Sequence, residues 1–253
     1  MQKQEIVDKL PQITVAFWIM KICATTLGET AGDLLSMTLN IGYAISSVIL
    51  LLFFFGTLSV QLFSKKYHPA IYWAVILATS TAGTTMSDFM DRTLGLGYAT
   101  GSLILAFLLA LTLSIWKKIE RSLSVTDIQT KRGEIFYWTA ILISNTLGTA
   151  LGDFLADNPG LGFIGGAILI GSLLFLIVVT YFFTSISRVL LFWLAFILTR
   201  PFGATFGDLL TKPFEKGGLN FGTIGSSIIL FTILIVLIGV ATLRRNQTIN
   251  GPA

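Results

Sequence analysis

"FWIMKICATTLGETAGDLL", residues 17–35, is apolar enough to enter a bilayer, yet it carries Lys21, Glu29 and Asp33. Three further stretches align with it without a gap: "YWAVILATSTAGTTMSDFM" (72–90), "YWTAILISNTLGTALGDFL" (137–155) and "FWLAFILTRPFGATFGDLL" (192–210). Each has a Trp (Trp18, Trp73, Trp138, Trp193), a Gly ten residues later (Gly28, Gly83, Gly148, Gly203) and an Asp fifteen residues after the Trp (Asp33, Asp88, Asp153, Asp208). Identical offsets four times over mark an internal repeat. Each stretch is followed by a short turn and a second apolar segment that opens on glycine: "GYAISSVIL", "GYATGSLIL", "GFIGGAILI" and "GTIGSSIIL". One repeat therefore reads as a helical hairpin.

The surrounding sequence fits a membrane. Of 253 residues 54% are hydrophobic and 12% charged, where a soluble domain has about 25% charged; the mean hydropathy is +0.81. Apolar runs at 45–63, 103–116, 164–183 and 224–243 approach the roughly 20 residues that cross a hydrocarbon core. The expected fold is an all-α polytopic membrane protein, a single domain over 1–253. Its eight transmembrane helices form four tandem hairpins at about 11–65, 66–120, 131–185 and 186–245. Trp-to-Trp spacings of 55, 65 and 55 residues, with the charged linker "KKIERSLSVTDIQTKRGE" supplying the surplus, point to duplicated halves. The polar start, 1–9, leads straight into the first span, so no cleavable signal peptide is expected.

On the repeat number, the two spans and the Trp of each repeat, the chain resembles the bacterial membrane proteins built from four tandem repeats of unknown function. The likeness covers essentially 11–243. It implies the architecture and brings no activity with it.

Two-span repeats all point the same way, so their tips share one side and the termini share the other. Twelve basic residues (Lys3, Lys9, Lys65, Lys66, Lys117, Lys118, Arg121, Lys131, Arg132, Arg188, Arg244, Arg245) fall on the terminal side, against Arg92, Lys212 and Lys216 on the tip side. The excess of positive charge in cytoplasmic loops predicts cytoplasmic termini in a bacterial inner membrane, Gln129 and Asn158 on opposite faces, and the four aspartates in the outer half. The formal net charge of +4 is loop charge of this kind and no sign of nucleic acid.

On a helix turning about 100° per residue, Thr26, Thr30 and Asp33 share a face, as do Thr81, Thr85 and Asp88; Thr146 with Asp153 and Thr205 with Asp208 keep part of the set. A polar stripe of this kind, joined by Glu29 and Asn145, is a candidate ion site lining one cavity that opens outward, with Asp33, Asp88, Asp153 and Asp208 as metal ligands. The plainer alternative is that each Asp caps local backbone at headgroup depth. Lys21 and Arg200 break the symmetry and serve either as counter-ions or as anion contacts. Five acids against these two bases leave an excess of three negative charges, which favours a cation or proton path. The small pairs Gly28 and Gly32, Gly83 and Ser87, Gly148 and Gly152, Gly203 and Gly207 read as close helix packing, as do Gly97 and Gly101, Gly162 and Gly166, and Gly222 and Ser226 in the second helices. Pro201 predicts a kink in the seventh span. The Trp residues read as interfacial anchors, and Asp91, Arg92, Asp157, Glu215 and Lys216 as solvated.

One Cys (Cys23) and one His (His68) rule out an intrachain disulfide and argue against a soft-metal site. No catalytic or cofactor motif is present, so neither an enzyme nor a cofactor is expected. Oxygen donors suit hard cations. "GETAGD" also bears a faint likeness to the Glu-x-Gly-Asp motif of cation and manganese exchangers, offset by one residue. The leading expectation is a proton-coupled transporter of a manganese-like divalent cation, with the lipid bilayer and a small ion or solute as its partners. The others are a carrier of a small organic or anionic solute using Arg200 and Lys21, and a non-transporting structural or assembly protein.

Overall fold

The computed structural model describes residues 10–64, 66–128, 130–157 and 160–250. Lys3, Lys9, Lys65, Gln129 and Asn158 of the topology reading lie outside them. Among the described residues the chain is helical throughout, without strands. Its long helices are α1 (Val15–Asp33), α2 (Tyr43–Phe63), α3 (Pro69–Asp88), α4 (Tyr98–Glu120), α5 (Lys131–Asp157), α6 (Gly162–Phe183), α7 (Arg188–Thr211) and α8 (Thr223–Asn250). Six of them, α2 and α4 to α8, are long and apolar enough to cross a membrane. α1 and α3 fall short because the repeat motif fills them with hydroxyls and charges.

The first helix of every repeat lies at the centre. α1 packs on α3 and α7, and α5 packs on the same two, which closes a ring of four. Glycine makes the close approach possible, and it does so in cyclic order. A Cβ on Gly28 would strike Ser80, one on Gly83 the backbone of Asn145, one on Gly148 the Arg200 stem, and one on Gly203 Thr25. The struck residue always stands three places before the next repeat's own glycine. Pro201 sits inside α7 without ending it and closes against Gly148.

The outer helices differ from the hairpin expectation. α2 packs on α3, α4 on α5, α6 on α7 and α8 back on α1, so each repeat lends its second helix chiefly to the next repeat. The turns that carry the chain sideways end on Gly42, Gly97, Gly162 and Gly222, with φ of 81°, 72°, 65° and 72°. Only glycine adopts this region without strain. These glycines have no neighbour within 4 Å of an added Cβ, so backbone conformation rather than helix packing requires them. Outward, residues such as Leu52, Phe107, Phe175 and Ile235 are exposed, the lipid-facing surface of a bundle.

The tryptophans depart from the anchor reading as well. Trp73, Trp138 and Trp193 are buried, and each meets the ring one place before the preceding repeat's Trp. Phe17 lies 5.6 Å from Trp73, Tyr72 5.5 Å from Trp138, Tyr137 6.4 Å from Trp193, and Phe192 closes the circle 5.8 Å from Trp18. Such pairs add about 0.5–1.5 kcal/mol each beyond area burial, so this belt ties the inner helices together at one end.

Candidate functional site

The inner helices face one another through residues spaced four apart. Counting from each Trp, positions −1, +3, +7, +11 and +15 give five stacked layers. They are Phe17/Tyr72/Tyr137/Phe192, Lys21/Ile76/Ile141/Phe196, Thr25/Ser80/Asn145/Arg200, Glu29/Thr84/Thr149/Ala204 and Asp33/Asp88/Asp153/Asp208. Every one of these residues except Phe192 is buried. A step of four residues drifts about 40° around a helix of 3.6 residues per turn, so the stripe stays on the axis only because the helices wind around one another.

Arg200 marks the axis, for it touches all four repeats. Its guanidinium donates to Glu29 Oε2 from both terminal nitrogens at 3.0 Å, to Thr84 Oγ1 at 2.5 Å, to Thr149 Oγ1 at 2.6 Å and to the Ser80 carbonyl at 3.4 Å. One layer toward the aromatic belt, Lys21 donates to Asn145 Oδ1 at 3.4 Å and lies 3.9 Å over the Phe196 ring. Asn145 in turn donates to Thr79 at 2.9 Å. Beneath it the Tyr72 and Tyr137 hydroxyls meet at 2.7 Å.

The aspartate layer ends the column, and two bases clamp it. Arg92 bridges Asp88 at 2.8 Å and Asp153 at 3.2 Å. Lys212 bridges Asp33 at 2.5 Å and Asp208 at 3.0 Å. Each base stands four residues after its own Asp and reaches the Asp of the next repeat around the ring. Burial alone would lower the Lys212 ammonium; Asp208 and Asp33 outweigh it and hold it well above the ordinary lysine range. The first and third repeats have Met37 and Asp157 at this position, so the clamps obey a twofold rather than a fourfold rule. With Arg92 and Lys212 counted, the column's negative excess falls from three to one.

Arg92 is exposed, as expected, yet its guanidinium holds two of the aspartates. Asp91 is not solvated: it is buried against Gly101, where an added Cβ would overlap it, and accepts from Ser87 at 3.3 Å. Burial pushes the Asp91 carboxyl up to about 6, against the pull of Ser87 and Arg92. Asp157, Glu215 and Lys216 are exposed.

The threonine stripe is not on the axis. Thr26, Thr81, Thr85, Thr146 and Thr205 donate to carbonyls of their own helices, and Thr30 does so while accepting from Ser227 of α8. A straight wheel groups them with the aspartates; the inclined axial stripe passes one residue aside and takes in Thr25, Thr84 and Thr149 instead. Arg92 and Lys212 were missed, although an acid and a base four apart on a helix occur in the second and fourth repeats alone.

Glu29, Asp33 and Asp208 each offer a carboxylate oxygen, and the three lie within 4.8 Å of one another. Two ligands of one hard cation stand at most about 4.6–5.2 Å apart, twice a metal–oxygen distance of roughly 2.3–2.6 Å, so this trio is in reach of a single ion. Asp88 and Asp153 are drawn to Arg92 on the other side of the ring. α1 and α3 leave their helical path immediately after Asp33 and Asp88, through single π-helical turns at Leu34–Thr38 and Phe89–Thr93, a distortion frequent at functional sites.

The family model described as a repeat of unknown function, DUF347, matches the chain four times, over residues 16–67, 71–122, 136–187 and 191–247. The chain belongs to that repeat family. No curated protein and no solved structure matches it.

Proposed function

We propose that this member of the DUF347 family is a secondary transporter of the bacterial inner membrane. It has eight spans and cytoplasmic termini, and it exchanges a hard, manganese-like divalent cation for protons along its axis. The observation that carries the reading is the column itself. Ionisable groups in the middle of a membrane protein cost at least roughly 2.5–3.5 kcal/mol each on insertion scales and are usually functional; here five acids and two bases are buried between the four inner helices, and Arg92 and Lys212 close the aspartate end. A static girdle would be served by fewer. The trio of Glu29, Asp33 and Asp208 supplies oxygen donors, and Lys212 occupies their mouth as a tethered cation that an incoming ion would displace.

Two spans beyond the six apolar ones are supported by length and company. α1 and α3, of 19 and 20 residues, are about 28–30 Å long at 1.5 Å per residue, and the other helices surround them. Twelve basic residues against three favour cytoplasmic termini. Reporter fusions at Gln129 and Asn158 are expected on opposite faces; the same face for both contradicts the topology.

One observation favours the second reading, a carrier of a small organic or anionic solute. Lys21 is fully buried, and among the described residues no carboxylate lies within ion-pair distance of it. A growth screen of an overexpressing strain across metal salts and organic solutes separates the two. Protection confined to divalent metals supports the first, protection confined to organic anions supports the second, and no phenotype with either leaves a structural role.

A further inference from the structure

We infer that the protein opens at the aspartate end by parting two bodies that do not coincide with its duplicated halves: α2 to α5 form one, and α6 to α8 together with α1 form the other. This deepens the transporter reading by naming the motion that would expose Glu29 and the aspartate layer.

Every ion pair on the axis falls inside one body. Arg92 links Asp88 of α3 to Asp153 of α5, while Lys212 and Arg200 link α7 and its following turn to Asp33 and Glu29 of α1. Other hydrogen bonds add to the division. Within the first body, Tyr72 meets Tyr137, Asn145 meets Thr79, and Gln61 of α2 donates to Glu134 of α5 at 3.4 Å. Within the second, Thr25 donates to the Thr199 carbonyl at 3.2 Å, Ser227 to Thr30 at 2.9 Å, and Thr38 and Thr223 meet at 2.7 Å. Outer helices agree, because α2 rests on α3, α4 on α5, α6 on α7 and α8 on α1.

What crosses between the bodies is graded along the axis. At the aromatic end the crossings are many: Phe17 against Trp73, Trp193 against Tyr137 and Trp116, and the Trp193 indole donating to the Leu123 carbonyl at 3.0 Å. In the middle they are hydrogen bonds: Arg200 to Thr84, Thr149 and the Ser80 carbonyl, Thr84 to the Gly28 carbonyl, and Lys21 to Asn145. At the aspartate layer no ion pair among the described residues crosses. The chain itself passes between the bodies twice, at residues 39–42 and, among the described residues, at 160–162, both at the aspartate end. Both passages hold residues in the left-handed region, Asn40 and Gly42 in one, Gly160 and Gly162 in the other, where a turn can change direction without dragging a helix. The aromatic belt is thus the hinge, the Arg200 fork the latch, and the aspartate end the mouth.

Spin-label distances in nanodiscs test this on the full chain with Cys23→Ser. The pair Leu94→Cys/Phe214→Cys spans the mouth between bodies, Ile45→Cys/Leu94→Cys lies within one body, and Ile119→Cys/Leu190→Cys spans the hinge. The latch is weakened by Thr84→Val with Thr149→Val, which leaves Arg200 paired to Glu29. The expected result is a second, longer population at the mouth, enlarged by the two valines, with single populations at the other pairs. A single unchanged distance at the mouth with and without the valines overturns the inference, as does a longer population at the hinge or within the body. These distances are read without substrate, so the inference can fail while the transporter reading stands, and the reverse.

Discussion

The two ends of the axial column occupy equivalent positions on the same four helices and are built on opposite principles. At the aromatic end Phe17, Tyr72, Tyr137 and Phe192 alternate with the four tryptophans, and each interface of the ring receives the same kind of contact. Sixteen residues along the chain from that level, four buried aspartates meet two bases, and the fourfold pattern has become twofold. Apolar contact is non-directional and can be repeated around a ring at no cost. Charge cannot: four like carboxylates brought together repel, and a base at every repeat would leave no unmet charge for a ligand. The difference separates the part that assembles the bundle from the part that can answer to an ion.

The comparison breaks most visibly between the two ends, at the pair of Glu29 with Arg200. Glu29→Gln leaves a fully buried guanidinium with hydroxyl and carbonyl partners only, and removing one partner of a buried pair costs about 3–5 kcal/mol. Thermal unfolding in detergent is expected to show a large fall in midpoint, much of it recovered in the double variant Glu29→Gln/Arg200→Gln. A single variant as stable as the parent would mean that the pair is not formed. A smaller effect is expected at the aromatic end. Tyr72→Phe strips the Tyr137 hydroxyl of its partner, a loss of about 1–3 kcal/mol that carries no pH dependence between pH 5 and 8; a difference between variant and parent that changed with pH across that window would show the layer to be charged.

The smallest effect sharpens the contrast at the other end. The Asp91 carboxyl is raised by burial to about 6, above its unfolded value of about 3.9. An acid raised on folding holds its proton longer when folded, so its stabilising contribution is complete below about pH 4 and is lost as pH climbs through 6. Asp91→Asn is therefore expected to raise the unfolding midpoint modestly at pH 7.5 and to leave it unchanged at pH 4. An equal effect at both values would trace the gain to packing on Gly101 instead.

Much of the architecture was legible because it repeats: the Trp, Gly and Asp offsets located the inner helices, their glycine faces and the aspartate layer. The pairing of residues was not. Glu29 and Arg200 are 171 positions apart, and only closure of the ring brings the first repeat to the fourth. The threonines were grouped with the aspartates because a straight wheel holds a face fixed, while the axial stripe here advances four residues at a time. Arg92 was assigned to solvent, and Lys212 only counted among the tip-side bases, because both follow the helices' apolar stretches, although both pair with the aspartates. The second helices gave no sign that they would pack on the following repeat, since their apolar faces suit either neighbour.

The most direct measurement of the central claim, that the axial column exchanges a divalent cation for protons, uses purified protein in liposomes containing a pH-sensitive dye. An inward MnCl2 gradient is expected to drive proton efflux and a rise in internal pH with the parent chain, and little or none with Asp33→Asn or Asp208→Asn in preparations of unchanged unfolding midpoint. Manganese entering without proton movement, or both variants exchanging at the parent rate, would contradict it.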